Sequence, residues 1–198
     1  MSRQQRGGFV TACAGAVAAG VLTGSVAERK MLVRLRKRHA EPDPEAGERF
    51  GRLPGSTAFV VSDDGVPLHV HEAGDPSAPL TLVFAHGFVV SSPNWHYQRR
   101  DLAEMARVIF YDHRSHGRSG HSAVDRCTID QLGEDLYQVL RERVPAGPVL
   151  LVGHSMGGMT IMALADRHPE LFGSRVIGVA LLSTSAGRMA EEIGRAHV

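Results

Sequence analysis

The sequence predicts an α/β fold in which a mostly parallel sheet is flanked by helices. Three observations lead to this prediction. Short apolar runs alternate with helix-like segments along residues 53–190, which implies crossover connections between parallel strands. Several of these runs are continuously apolar, as strands buried on both faces are. Turn-forming residues separate the runs, and no internal repeat is present.

The predicted domain begins with a β-hairpin. Residues Thr57–Ser62 and Pro67–Glu72 alternate between apolar and polar types, and Asp63-Asp64-Gly65 forms a turn signal between them. Four further strands are predicted from apolar runs, at Leu80–Ala85, Val108–Tyr111, Val149–Val152 and Val176–Leu182.

Two helices are predicted between the later strands. Thr128 and Gln131 match the capping-box pattern, so a helix is expected to begin there and to end near Pro145. A second helix is expected from Ser155 to about His168, because Pro169 cannot continue it.

The charge distribution divides the chain into a basic leader and a mildly acidic domain. Residues 1–52 carry 10 Lys and Arg against 5 Asp and Glu, whereas residues 53–198 carry 12 against 16. An acidic domain repels a phosphate backbone, so we do not expect a nucleic-acid partner. The two cysteines, Cys13 and Cys127, cannot form a disulfide framework or a cysteine zinc site.

Residues 9–27 are an uncharged stretch whose length suits a membrane helix. Their Ala, Gly, Ser and Thr content is weakly apolar, and the Lys- and Arg-rich segment that follows is typical of the cytoplasmic side. We interpret the stretch as a weak membrane anchor of a cytoplasmic enzyme. Two alternatives stay open: a signal peptide cleaved near Ser25-Val26-Ala27, and a soluble flexible leader. In all three interpretations, residues 1–52 are predicted to be an Ala/Gly-rich and basic leader with its linker.

The segment Gly153-His154-Ser155-Met156-Gly157-Gly158 carries the strongest chemical signal. It places G-x-S-x-G between an apolar strand and a helix, which is the context of a nucleophile elbow. Such a turn holds the serine hydroxyl at the carboxyl end of the sheet, and the N–H groups of the new helix face any developing negative charge. Ser155 is therefore predicted to be the catalytic nucleophile, and the Met156 N–H to be one oxyanion-hole donor. The alternative is a glycine-rich turn without catalytic function.

His86-Gly87-Phe88 follows the strand predicted at Leu80–Ala85. In an acyl-transfer site, the second oxyanion donor comes from the loop after the third strand, and here we predict the Phe88 N–H. His86 is interpreted as a residue that braces this loop. The catalytic base of such a site comes from late in the chain instead.

Three motifs together resemble the α/β-hydrolase superfamily. In chain order they are HGF, then D-x-R-x-x-G-x-S beginning at Asp112, then GHSMGG, and the similarity covers roughly Thr57–Gly187. The chain looks like actinobacterial hydrolases with an Ala/Gly-rich leader, and it matches the N-terminal half of such a domain. The family usually has Gly where Ser115 stands.

The resemblance implies a serine hydrolase that needs no cofactor. Haloalkane dehalogenases and epoxide hydrolases of this family carry a carboxylate nucleophile, so Ser155 argues against both. It favours a small-molecule ester, thioester, lactone or amide substrate that is cleaved through an acyl-enzyme. Two other interpretations stay open: an acyltransferase or cofactor-free peroxidase, and a non-catalytic hydrolase-fold binding protein.

Two other residue groups have less specific interpretations. Asp112, His113, His116 and His121 could suggest a metal cluster, but no helix fixes their spacing and no metal is expected. The methionines of the predicted elbow helix are interpreted as core filling rather than as an acyl-chain pocket: Met156, Met159 and Met162.

The serine needs a histidine base and an acid, which follow the nucleophile in this fold. After the last predicted strand, the only residues of these types are Glu191, Glu192 and His197. Residues 192–198, EIGRAHV, resemble the translation of a sequencing adapter and are predicted to be a non-native tail. We therefore expect residues 53–190 to be a partial hydrolase domain and this 198-residue chain to be inactive by itself.

Overall fold

The computed structural model describes residues 47, 49–52 and 54–187. All of these except Gly47 belong to one compact unit, Arg49–Val198. The predicted anchor at residues 9–27 and the predicted tail at residues 192–198 lie outside the described residues and stay predictions. In the part of the chain that is described, no helix is both long enough and apolar enough to cross a membrane.

A six-stranded sheet forms the centre of the fold, and all six predicted strands are present. In chain order they are β1 Ser56–Val61, β2 Pro67–Ala73, β3 Thr81–Ala85, β4 Arg107–Tyr111, β5 Val149–His154 and β6 Val176–Leu182. Across the sheet the order is β1-β2-β4-β3-β5-β6. The hairpin pair and the β2–β4 pair are antiparallel, and the other three pairs are parallel. The prediction of a mostly parallel α/β sheet is confirmed.

Three α-helices connect the strands: α1 His96–Leu102, α2 Ile129–Arg143 and α3 Met156–Arg167. The two longer ones lie where the sequence predicts them. The sequence analysis named no helix at α1, which has seven residues and follows a short 3-10 turn at Ser92–Trp95. Its N-cap residue, Trp95, makes no side-chain capping bond, so the helix lacks the start signal that marks α2.

The predicted capping box of α2 is only half formed. Thr128 Oγ1 accepts a hydrogen bond from the Gln131 N–H at 3.2 Å, as expected of an N-cap. The Gln131 side chain, however, donates to Asp63 Oδ1 at 2.8 Å. Gln131 therefore ties the start of α2 to the β1–β2 turn instead of closing the box.

The alternation of side chains along β3 divides the core into two layers. Val83 and Ala85 face a large apolar cluster that includes residues of α2 and α3. Leu82 and Phe84 face the opposite layer, where Phe84 lies 5.1 Å from the ring of Trp95 and 4.7 Å from that of Phe110. This two-sided burial explains why the sequence of β3 is continuously apolar.

β6 borders the sheet among the described residues and is only partly covered. Its backbone pairs with β5 alone. Several of its apolar side chains are between 41% and 61% exposed, namely Ile177, Val179, Leu181 and Leu182.

A buried ionic network centred on Arg114 joins three parts of the fold. The Arg114 guanidinium donates twice to Asp135 of α2, with both N···O distances at 2.7 Å, and twice to Asp64 of the β1–β2 turn, at 2.6 and 3.1 Å. Ser62 Oγ accepts from Arg114 and donates to Asp135. Because Arg114 and Asp135 are almost fully buried, neither can exchange its partner for water.

Candidate active site

Ser155 lies at a sharp turn between β5 and α3. Its φ of 51° and ψ of −115° place a non-glycine residue in a strained backbone region. The turn is held because the Ser155 N–H donates to Leu182 O at 2.9 Å, and the Thr184 hydroxyl donates to Ser155 O at 2.7 Å. This is the strand–turn–helix geometry that the elbow sequence predicts.

The glycines around Ser155 allow the strand and the helix to approach closely. A Cβ on Gly157 would lie 2.0 Å from Ala85 O, and one on Gly153 would lie 2.5 Å from Gly157 O. A Cβ on Gly158 would lie 2.6 Å from the Thr184 side chain. A side chain at Gly157 would therefore displace the start of α3 from the end of β3, and side chains at Gly153 and Gly158 would clash with Gly157 and Thr184.

The loop after β3 lies directly beside Ser155. A Cβ on Gly87 would be 3.3 Å from Ser155 Cβ and 3.0 Å from His154 Nδ1. The strand order explains this proximity: the chain leaves β3 toward β4 on one side, and it leaves β5 toward β6 on the other. Loops at such a switch point diverge and leave a crevice at the carboxyl ends of the strands.

A cavity of about 580 Å³ opens at this edge of the sheet. Both predicted oxyanion residues, Phe88 and Met156, line it, and Ser155 adjoins Met156 in the chain. Within the described residues, neither the Phe88 N–H nor the Met156 N–H donates to another protein atom. Two predicted donors are thus left unpaired next to the strained serine.

The same cavity contains two features that the sequence analysis missed or misjudged. Val89, a β-branched residue, has a φ of 55°, and no turn motif in the sequence indicates this conformation. Met156, Met159 and Met162 are half-buried and lie outside both core clusters. The interpretation as core filling is wrong for Met156, because that residue lines the cavity, and it stays a prediction for Met159 and Met162.

His86 braces the loop, as the sequence analysis predicts. The ring is fully buried, Nε2 accepts from the His113 N–H at 3.0 Å, and Nδ1 therefore carries the proton that it donates to Gly87 O at 2.7 Å. His113 reciprocates, since its Nε2 contacts His86 O at 3.0 Å. Both nitrogens of His86 are engaged in these loop contacts, so His86 cannot take a proton from Ser155 without breaking one of them.

Burial keeps both of these histidines neutral. It lowers the pKa of His86 to about 4, and it lowers the pKa of the fully buried His113 well below its usual value, with the neighbouring His86 as a smaller cause. Two neutral imidazoles joined through backbone atoms hold the loop after β3, which contains Gly87 and Phe88, against the loop after β4.

This pairing predicts acid sensitivity. Below about pH 6.5 the unfolded chain protonates these histidines while the native state does not, so stability falls as pH decreases toward 4. We expect the free energy of unfolding to be lower at pH 5 than at pH 7 by about 2 kcal/mol for each of the two. Urea denaturation followed by the fluorescence of Trp95, the single tryptophan, measures this. The control, replacement of the exposed His121 by Gln, should leave the pH dependence unchanged, and equal stability at both pH values would refute the interpretation.

Asp112 has a structural role in the loop after β4. Its Oδ1 accepts from the Ser92 N–H at 2.7 Å and its Oδ2 from the Arg118 N–H at 2.9 Å. A Cβ on Gly117 would lie 2.3 Å from the same carboxylate, which explains the glycine there. Ser115 has a φ of 60°, the conformation that favours the Gly usual in this family.

Among the described residues, no three His, Cys, Asp or Glu side chains are placed to hold a metal ion.

No histidine–carboxylate pair of the described residues adjoins Ser155. His69 Nδ1 lies 3.4 Å from Asp112 Oδ2, but His69 lines a different cavity. His168 pairs with Glu134 at the far end of α3. The remaining residues considered in the sequence analysis, Glu191, Glu192 and His197, lie outside the described part of the chain.

Comparison with known proteins agrees with this architecture. The family described as the alpha/beta hydrolase fold matches residues 81–196, which include the loop after β3 and the turn at Ser155. The chain belongs to this family, and the predicted fold class is confirmed.

Two curated relatives show how wide the family's chemistry is. Epoxide hydrolase A of Mycobacterium tuberculosis is 35% identical over 132 residues, which are 66% of this chain and 39% of that protein. The sn-1-specific diacylglycerol lipase ABHD11 of Danio rerio is 32% identical over 131 residues, 65% of this chain and 40% of that protein. The chain thus spans about two fifths of the length of these relatives.

Solved structures give the same result. The esterase RhEst1 from Rhodococcus sp. ECU1013 superposes with a TM-score of 0.58 at 28% identity, over 65% of this chain and 46% of that one. Residues of this chain therefore reproduce part of a known hydrolase architecture.

Proposed function

We propose that Ser155 is the nucleophile of a serine hydrolase that cleaves a small ester-like substrate through an acyl-enzyme. The observation that carries the proposal is the strained Ser155 turn beside two unpaired N–H groups, those of Phe88 and Met156. The serine oxygen attacks the substrate carbonyl carbon, and the carbonyl oxygen becomes an oxyanion that the two N–H groups stabilise. The oxyanion collapses to the acyl-enzyme as the ester C–O bond breaks and the protonated alcohol leaves. Water then attacks the acyl-enzyme, which releases the acid and restores the serine hydroxyl.

The lining of the cavity supports an uncharged acyl group. Phe88, Val89, Val90 and Leu132 present apolar surface toward it. The one arginine in the lining, Arg114, is already paired with Asp135 and Asp64, so it offers little attraction to an anionic substrate.

The proposal separates this chain from its epoxide hydrolase relative. A carboxylate nucleophile opens an epoxide, whereas the elbow here carries a serine. The solved esterase and the curated lipase that resemble the chain support acyl chemistry instead.

The proton transfers need a base and an acid that the described residues do not provide. We propose that they come from residues after β6, in the order serine, acid, histidine. The test compares two proteins: this 198-residue chain, and the gene-encoded protein, whose sequence after Arg188 is established by sequencing the gene.

We expect the gene-encoded protein to hydrolyse short-chain p-nitrophenyl esters and this chain to show no turnover above its Ser155→Ala variant. In the gene-encoded protein, Ser155→Ala should lower kcat by at least about 10⁴-fold, because the covalent route is lost. Thermal melting must show that the variant remains folded. Adding an alcohol or hydrogen peroxide as acceptor separates hydrolysis from acyl transfer and perhydrolysis. Turnover that survives Ser155→Ala would refute the proposal.

A further inference from the structure

A second cavity, of about 380 Å³, lies on the other side of the loop that follows β4. We call it the arginine cavity, and its charged and imidazole lining residues are Arg52, His69, His71, Arg99, Asp112 and Arg118. Gly117 and Ser91 line both this cavity and the one beside Ser155, so a single loop layer separates the two.

The arginine cavity has an excess of positive charge. Among the described residues, three arginines and one carboxylate residue, Asp112, line it. Both oxygens of Asp112 already accept backbone N–H groups, from Ser92 and Arg118. The carboxylate is therefore engaged in holding the loop, and its two oxygens are not paired with the side chains of Arg52 or Arg118.

Two of the arginines are unpaired at the mouth of the cavity. Among the described residues, the exposed side chains of Arg52 and Arg118 make no hydrogen bond or ion pair. Arg99 lies deeper, with 8% of its surface exposed, and it is anchored by a 2.6 Å hydrogen bond from Nη2 to Pro54 O.

Two histidines that line the cavity have buried ring nitrogens without a hydrogen-bond partner. His69 is 5% exposed, and its Nδ1 lies 3.4 Å from Asp112 Oδ2 without forming a hydrogen bond. His71 Nε2 is buried without a hydrogen-bond partner. Burial, followed by the positive charge of Arg99, lowers the pKa of His71 to about 4. A buried polar atom without a partner is costly, so a ligand that accepts its hydrogen bond would be favoured.

From this geometry we infer that the arginine cavity binds a phosphate group. A phosphate offers several oxygens to the fork-shaped donors of arginine and to imidazole N–H groups. The cavity also exceeds the size of a phosphate ion, which leaves room for the remainder of a small phosphorylated molecule. This site is distinct from the proposed acyl site and does not depend on the chemistry of Ser155.

The test measures phosphate binding to the 198-residue chain by titration calorimetry at constant ionic strength. We expect saturable one-to-one binding of inorganic phosphate, and tighter binding of glycerol 3-phosphate if the remainder of the molecule occupies the cavity. Tighter binding of inorganic phosphate would identify the free ion as the ligand. In an NMR titration, imidazole signals of His69 and His71 should shift and that of the exposed His121 should not.

Variants of the unpaired arginines distinguish phosphate binding in this cavity from nonspecific attraction of phosphate to a positively charged surface. Arg118→Gln and Arg52→Gln should each weaken phosphate affinity by about tenfold, because each removes a charge-assisted hydrogen bond. The matched control is Arg141→Gln, which removes the same charge from the exposed face of α2 and should leave affinity within about twofold. Thermal melting verifies that all three variants fold. Absence of saturable binding, or equal losses in all three variants, would overturn the inference.

Discussion

Replacing Gly157 by Ala is expected to destabilise the domain by more than about 3 kcal/mol. The added Cβ would lie 2.0 Å from the carbonyl oxygen of Ala85 and 2.5 Å from its carbon. Both obstacles are backbone atoms of β3, a strand paired on both sides, so they cannot move aside as a flexible side chain could. The clash also pushes the elbow away from the oxyanion loop.

Gly178→Ala is the matched control for this substitution. The nearest atom to a Cβ on Gly178 is Leu150 Cδ1 at 3.5 Å, which is an ordinary contact. Alanine loses less conformational entropy than glycine when a strand forms. This variant should therefore be as stable as the parent or more stable by up to about 1 kcal/mol. Urea denaturation followed by Trp95 fluorescence compares the two. Equal stability of the two variants would show that β3 and α3 do not approach as closely as described.

Replacing Arg114 by Met is expected to lower the free energy of unfolding by about 3–5 kcal/mol. Methionine preserves much of the side-chain volume but leaves the Asp135 carboxylate buried, with 0% of its surface exposed, without its bidentate partner. The loss should appear mainly as a lower denaturation midpoint, with the urea dependence nearly unchanged.

A double-mutant cycle distinguishes the lost partner from lost packing. Arg114→Met combined with Asp135→Leu removes both buried charges, so the double variant should be more stable than Arg114→Met alone. Arg167→Met serves as the surface control. It breaks an ion pair with Glu134 whose arginine is 44% exposed, and it should cost less than about 1 kcal/mol. A double variant no more stable than the single one would contradict the assignment of the loss to an unpaired carboxylate.

The parts of the fold that the sequence predicts are those with a local cause. β3 is continuously apolar because both of its faces are buried, and the elbow follows from glycines within two residues of Ser155. His86 could be assigned a bracing role from its position before the oxyanion loop. In each case the determining residues are neighbours in the chain.

The parts that the sequence does not reveal depend on distant partners. Arg114 binds Asp64 and Asp135, which are 50 and 21 residues away, and no local pattern links them. Gln131 has a capping-box position but reaches Asp63, 68 residues away. The arginine cavity likewise assembles residues from β2, β4 and α1 and from three other segments of the chain, near residues 52, 92 and 118. Only the folded chain shows that these groups meet.

Active-site labelling tests the central claim, that Ser155 is an activated nucleophile, most directly. The gene-encoded protein is treated with a fluorophosphonate, digested, and mapped by mass spectrometry, with the Ser155→Ala variant treated in parallel. The account predicts one adduct, on the peptide that contains Ser155, together with loss of esterase activity, and no adduct in the variant. An adduct on another residue that abolishes activity, or full activity without any adduct on Ser155, would contradict it.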